Sequence, residues 1–557
     1  MKSIKHGISP RRILIILTAL LCTLLLSSCL NADGLLIDPG AGGSQSGTQG
    51  GPQNGTHVCS YSKTVATEAY NLIPATCTEL GTYYYSCDCG KAGTLTFIGG
   101  EYKAHECVNQ IATRKYLVSE ATMTSPALYS KSCACGYGGS STFEYGGKLL
   151  VADGLLYKPT SVTVTIYDAA ESVYGFTYSS TKEPMNPVIQ VKKLGTTSWT
   201  TYVPTSVEAG AYNNDDTTYS FYVSKAEIEL RPNSTYIYRV CDLDAGICTS
   251  EMTLVTGNAD TDAFTFVHAS DSQEGPTEFG RVLSTVLGKA DFVIHTGDVV
   301  QNTKYESEWT AMLDGNIDYV GGIPIMAISG NHETTYSTHG TYETDKHFNN
   351  NIPTQTSTRL GYYYSFIYGD VKFIMLNTND LTDKQLKPEQ YDWLIEELTG
   401  NTAKWTVVAM HNPLYSVGKY GANPEKNSIA LALQEQLQGI FAEYGVDLVL
   451  QGHDHAISRT YPIDENGVPR VENVVTVDGI SYVVDPDGVI YVMNGPAGSQ
   501  TRSPYAIDES LYAYAEKSKK ASWAEIEVTS DRLTVKWHDG TTEGIYHTWG
   551  IQKTDSE

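Results

Sequence analysis

The chain has 557 residues, room at roughly 150 per domain for three or four domains and far beyond a small disulfide-stapled peptide. Its formal charge of -25 comes from 38 basic and 63 acidic residues, so a phosphate-backbone polymer would be repelled over most of the surface and nucleic acid is not expected as a structural partner. Charged residues are only 18% and Tyr (39) far outnumbers Phe (12), which suits an extracellular, β-rich protein; a small anion would be held only where positive charge is concentrated, and metal ions are the obvious means.

Lys2, Lys5, Arg11 and Arg12 precede an apolar run over residues 13–26 that is too short for an ordinary membrane span. The run ends in Leu26-Ser27-Ser28-Cys29, which resembles a bacterial lipobox. That resemblance implies a signal peptide over residues 1–28 and acylation of Cys29. The protein would then be lipid-anchored at the outer face of the cytoplasmic membrane, on the cell surface. Residues 29–56 include GGSQSGTQGGPQNGT, too poor in apolar groups to order themselves, and read as a flexible tether.

Residues 57–148 hold an internal repeat: 65–100 align without gaps onto 111–146 with 15 of 36 positions identical. Each copy is preceded by His-x-Cys (His57 and Cys59; His105 and Cys107) and contains Cys-x-Cys (Cys87 and Cys89; Cys133 and Cys135). Three Cys and one His per copy suit a structural zinc site, whereas export favours disulfides, and both readings stay open. The stretch 74–81 resembles a P-A-T-C-T-E-x-G pattern of bacterial surface repeats, which implies attachment to a cell-surface partner.

Residues 153–257 carry alternating runs (SVTVTIYD, TYSFYVS, STYIYRVCD) between turn-rich segments, the pattern of a β-sandwich. The stretch 230–240 resembles the corner of fibronectin type III-like domains. Cys241 and Cys248 flank a turn and are placed to close a disulfide.

From residue 263 to 553 apolar strands (FTFVHAS, ADFVIHT, IPIMAIS, KFIMLNT, WTVVAM, VDLVLQG) alternate with amphipathic segments at 277–287, 388–398 and 428–444, so an α/β domain is expected. Ligand-binding groups in such sheets gather beyond the carboxyl ends of strands. Those ends read Asp271-Ser272-Gln273, Gly297-Asp298, Gly330-Asn331-His332-Glu333, His411-Asn412-Pro413 and Gly452-His453-Asp454-His455. Carboxylates, an amide and imidazoles without a thiolate suit divalent Zn, Mn or Fe, with Ni or Co as further options.

This ordered series resembles the calcineurin-like metallophosphoesterase superfamily and, with the preceding sandwich, its purple acid phosphatase branch. The resemblance implies a four-layer α/β fold and two divalent metal ions that activate water against a phosphate ester. Asp298 would bridge the ions, Asp271, Gln273 and His455 would hold the first, Asn331, His411 and His453 the second, and the catalytic His332 would sit beside the substrate phosphate, to protonate the leaving alkoxide or stabilise the equatorial oxygens. Three departures bear on it. Gln273 stands where a His is common, Gln301 where purple enzymes carry a tyrosine, and YSVGKYG (415–421) where plant enzymes carry substrate histidines. The expected function is a phosphomonoesterase; a phosphodiesterase or nucleotide hydrolase of the same fold, or a non-catalytic surface-binding lipoprotein, is the alternative.

Overall fold

The structure is a computed structural model that describes residues 59–168, 172–214, 217–258, 261, 263–303, 305–335, 347–348, 362–542 and 544–554. Cys29, the signal peptide, the tether and His57 lie outside the described residues. Among the described residues no helix is long and apolar enough to cross a membrane.

The chain divides into two compact units. In the first, strands Asn71–Ile73, Gly81–Ser86 and Ala92–Gly99 make an antiparallel sheet. The second unit takes Ala75–Glu79 and everything from Tyr102 onward. It begins with a sheet of the same order, Leu117–Ser119, Ala127–Ser132 and Gly138–Tyr145. Both sheets close the Cys-x-Cys-Gly turn alike, with the Cys87 and Cys133 N–H groups donating to the carbonyls of Lys91 and Tyr137. One expectation fails here. Cys107 stands apart from His105, Cys133 and Cys135, and Cys77 takes its place among them. The reason is register: the 46-residue repeat aligns Cys59 with His105 and Tyr61 with Cys107, so the His-x-Cys pairs are not equivalent.

The second repeat is fastened to the rest of its unit by polar contacts. Tyr145 Oη donates to Glu251 (2.6 Å), and the N–H groups of Arg114 and Lys115 donate to Asp318 (3.3 and 3.2 Å). A β-sandwich follows. Its four-stranded sheet is Thr160–Asp168, Val173–Ser180, Ser206–Asn214 and Thr217–Glu229; the facing sheet is Pro187–Lys193, Thr200–Tyr202, Thr235–Asp242, Ile247–Cys248 and Met252–Val255. Alternate residues turn inward, as the period of two demands, and Phe176 meets Tyr238 edge-on at 5.2 Å. The Arg231 N–H donates to Tyr236 Oη (3.1 Å), closing the corner, and Cys241 and Cys248 form a disulfide.

Beyond the sandwich two mixed sheets lie face to face. The eight-stranded sheet runs Ile325–Ala327, Phe292–His295, Phe264–Ala269, Ser522–Val528, Arg532–Asp539, Ile545–Gln552, Ile480–Val484, Val474–Val477. The seven-stranded sheet runs Tyr364–Tyr368, Val371–Met375, Trp405–Met410, Leu448–Gln451, Ile490–Asn494, Ile457–Thr460, Tyr512–Ala515. Phe266, Phe292, Ile294, Phe373, Val407 and Leu450 fill the space between the sheets, while Val267, Val293 and Ile325 point outward beneath helices Pro276–Val286 and Glu306–Leu313. Helices Pro388–Thr399 and Ser428–Glu443 cover the other outer face. Four layers result, and because both faces of these strands are buried they read as unbroken apolar runs. The core between the sheets is continuous with that of the sandwich, and Tyr238 Oη donates to the Gly321 carbonyl (2.8 Å) across the junction.

Candidate metal centre

All the strand ends singled out in the sequence deliver their polar residues to one place, the carboxyl edge shared by the two sheets. The parallel strands Phe264–Ala269, Phe292–His295 and Ile325–Ala327 carry Asp271, Asp298 and Asn331 from one sheet. The parallel strands Trp405–Met410 and Leu448–Gln451 bring His411, His453 and His455 from the other. Asp271, Asp298 and His455 present ligand atoms within 4.8 Å of one another, as do Asp298, His411 and His453. Asp298 belongs to both groups. Asn331 Oδ1 lies 3.1 Å from His411 Nε2, and Gln273 Nε2 lies 3.3 Å from His455 Nε2.

Backbone strain marks the same residues. Asp271, Asp298, His453 and His455 all have φ between 52° and 77°, a region that disfavours side chains and that tertiary structure must impose. Gly330 is required by close approach: a Cβ there would lie 2.1 Å from Asp298 Oδ1. Glu333, fully buried, ties the loops together by accepting N–H bonds from Gly330 (2.7 Å), Asp298 (2.8 Å), Val299 (2.9 Å) and Val300 (3.2 Å).

The donor set fits divalent cations. His411 donates from Nδ1 to the Thr296 carbonyl (2.8 Å) and His455 Nδ1 pairs with the Gln500 carbonyl, which turns each Nε2 toward a carboxylate: His411 to Asp298 and His455 to Asp271, both at 3.3 Å. Gln273 Oε1 and His453 Nδ1 are buried without a hydrogen-bond partner, an arrangement that is costly unless a ligand uses those atoms. Burial by itself would lower the His411 pKa, yet Asp298 pushes it up to about 9; burial would raise Asp271, yet His455 and His411 hold it below the ordinary carboxylate range. A cation bound here would displace the proton that Asp298 favours on His411. Burial lowers His453 to about 3, so it is a neutral donor. Glu333 is raised to about 7 by burial and the neighbouring Asp298, against the opposing pull of its N–H donors.

His332 stands differently. Its Nδ1 faces the Gln301 carbonyl (2.6 Å), its Nε2 is 3.8 Å from Asp298, and its side chain is 19% exposed where the Asp298 side chain is 2% exposed. It borders the cleft from the solvent side. Gln301, at the place of the missing tyrosine, accepts a hydrogen bond from Gln500 (3.0 Å). Two residues without a role in the sequence reading join the site. Tyr420 lies 4.5 Å from the His453 ring, held by Asp454, which accepts the N–H groups of Tyr420 and Gly421 (both 2.9 Å). Glu333 was visible as the fourth residue of Gly-Asn-His-Glu, but sequence gives no sign of which N–H groups it would meet.

Residues 264–456 match the family described as calcineurin-like phosphoesterase. Over this stretch the chain is similar to the calcineurin-like metallophosphoesterases. Purple acid phosphatase 15 of Arabidopsis thaliana is 31% identical over 187 residues, 32% of this chain and 30% of that protein. A second Arabidopsis thaliana protein, named Probable inactive purple acid phosphatase 1, is 26% identical over 243 residues, 41% of this chain and 38% of that one. The matched segments thus span less than half the length of these relatives. A purple acid phosphatase from yellow lupin (Lupinus luteus) seeds superimposes with a TM-score of 0.58 at 17% identity, covering 74% of this chain and 76% of that one, a likeness of fold.

Proposed function

We propose that the protein is a dinuclear metal-dependent phosphoesterase, acid phosphatase-like, that hydrolyses phosphate monoesters. The observation that carries this reading is the pair of three-ligand groups sharing Asp298. Asp271, Gln273, Asp298 and His455 would hold one divalent ion, and Asp298, Asn331, His411 and His453 the other. Such a pair supplies Lewis acidity and an activated water. The chain's own residues do the remainder: Glu333 fixes the loop that bears Asp298, the Thr296 and Gln500 carbonyls orient His411 and His455, and His332 donates a proton to the departing alkoxide. Tyr420 borders the cleft beside His453 and limits what part of an ester fits there.

The test compares Asp298→Asn with His332→Ala on a panel of phosphomonoesters and diesters, with metal content measured alongside. Asp298→Asn should lose both hydrolysis and metal, whereas His332→Ala should keep its metal and lose about 10²- to 10⁴-fold in kcat. A metal-replete wild type that cleaves neither ester class sinks the reading, and reversed metal contents overturn the assignment of roles.

The sandwich, with its tyrosine corner, is proposed to be fibronectin type III-like and to position the catalytic head. Acylation of Cys29 would keep the enzyme at the cell surface. Cys29→Ala should release the protein from the membrane fraction or leave its signal uncleaved; unchanged anchoring of a cleaved protein contradicts the lipid anchor.

A further inference from the structure

Far along the chain from the strand-end cluster, the cysteine-rich repeats hold a second group of metal-binding side chains. Cys133 Sγ lies 3.4 Å from Cys77 Sγ and 3.0 Å from Cys135 Sγ, and Cys135 Sγ lies 3.5 Å from His105 Nδ1. All four ligand atoms fall within 4.8 Å of one another. A disulfide joins two sulfurs and would leave the third thiol and the imidazole pointing at it. A tetrahedral ion uses all four, and zinc with bonds of about 2.3 Å to sulfur separates its sulfurs by about 3.8 Å, which the sulfurs at 3.0 and 3.4 Å reach by moving apart less than 1 Å.

We propose that Cys77, His105, Cys133 and Cys135 hold one structural zinc ion. The surroundings are arranged for it. His105 lies flat on Tyr137, with ring centres 4.0 Å apart, which fixes the direction of its nitrogen. Gly136, at φ +80°, turns the chain after Cys133, and the Tyr137 N–H faces the Cys135 sulfur. On binding, the three thiols release their protons and become thiolates, and zinc with three thiolates and a neutral imidazole carries a net charge of -1.

The repeat register explains why the fourth ligand is Cys77. Shifting the chain by 46 residues places Cys59 on His105, Cys87 and Cys89 on Cys133 and Cys135, and Tyr61 on Cys107. The structure follows the same register: Tyr61 packs against Gly93 as Cys107 packs against Gly139. Cys59, Cys87 and Cys89 accordingly form a matching three-thiol group in the first unit. The counterpart of Cys77 in the second copy is Met123, so Cys77 is an addition that the repeat does not duplicate. It gives the second copy a ligand drawn from the sequence of the first. The Lys103 N–H donates to the Thr76 carbonyl (2.9 Å), which holds Cys77 in place.

The test uses the full chain purified without oxygen, with zinc counted per molecule, and again after replacement of the metal by Co2+. Cys77→Ser should lose one equivalent of zinc and part of the near-ultraviolet thiolate-to-cobalt absorption, while Cys107→Ser should retain both. Neither readout depends on ester hydrolysis, since the strand-end cluster offers no thiolate, so this proposal can fail while the phosphoesterase reading stands. Unchanged zinc in Cys77→Ser, equal loss in Cys107→Ser, or an intact mass showing a disulfide that includes Cys77, Cys133 or Cys135 would overturn it.

Discussion

Glu333 is assigned no metal ion, yet its replacement should disturb the whole site. Each carboxylate oxygen accepts two buried N–H groups: Oε1 from Val299 and Val300, Oε2 from Asp298 and Gly330. In Glu333→Gln the amide oxygen can serve only one of these pairs, and the amide NH2 then faces two donors. Leaving two buried N–H groups without acceptors costs about 1–3 kcal/mol each, partly offset because a buried charge is removed. A net loss of about 2–4 kcal/mol follows, which for a domain of this size lowers Tm by about 5–10 °C. Because the freed N–H groups include that of Asp298, metal content should fall as well. Scanning calorimetry at fixed scan rate, with metal analysis on the same samples, checks both. A variant that melts within 1 °C of the wild type and keeps its metal would show that Glu333 does not hold the loop.

Lys553 closes the chain's last strand onto Asp447 (2.8 Å), a 7%-exposed side chain whose pKa burial raises above the ordinary carboxylate range despite Lys553. Since the folded-state value exceeds the unfolded one, stability falls as pH rises through that interval, and removing the lysine widens it. Lys553→Met should therefore cost about 3 kcal/mol at pH 7 and distinctly less at pH 5, measured as the difference in denaturant unfolding from wild type at each pH; an equal deficit at both would refute the pairing. Gln301 is neutral where purple enzymes are expected to carry a tyrosine, and Gln273 is neutral where metallophosphoesterases commonly place a histidine, so the proposed metal site should favour divalent ions. The active protein should be colourless, indifferent to mild oxidants and reductants, and recover after chelation on adding a divalent metal; a strong visible band that bleaches on reduction would contradict this.

The sequence by itself determined the order of the elements and the chemistry at the end of each strand. Apolar runs buried on both faces are a signal of composition, and Asp271, Asp298, Asn331, His411, His453 and His455 stand after such runs, so chain order placed each of them beyond the carboxyl end of a strand. Helix limits followed from local rules: Pro276 and Pro388 open helices at their first turn, and Phe279, Val282, Leu283 and Val286 recur at the spacing that buries one face. The alternation in residues 160–255 gave the sandwich for the same reason, a period of two read directly from neighbours.

Only the tertiary structure decided what meets what across long stretches of chain. That Asp298 lies in both ligand groups depends on two sheets packing face to face, since it joins residues more than a hundred positions apart. Glu333 acquired three of its four N–H donors from a loop more than 30 residues away, and Tyr420 reached His453 through Asp454, contacts that no periodicity encodes. The cysteines make the contrast plainest. Local spacing suggested His105 with Cys107, but thiolate and imidazole groups combine by distance in space and not by adjacency in sequence, and folding brought Cys77 from the preceding copy to the place Cys107 was expected to fill.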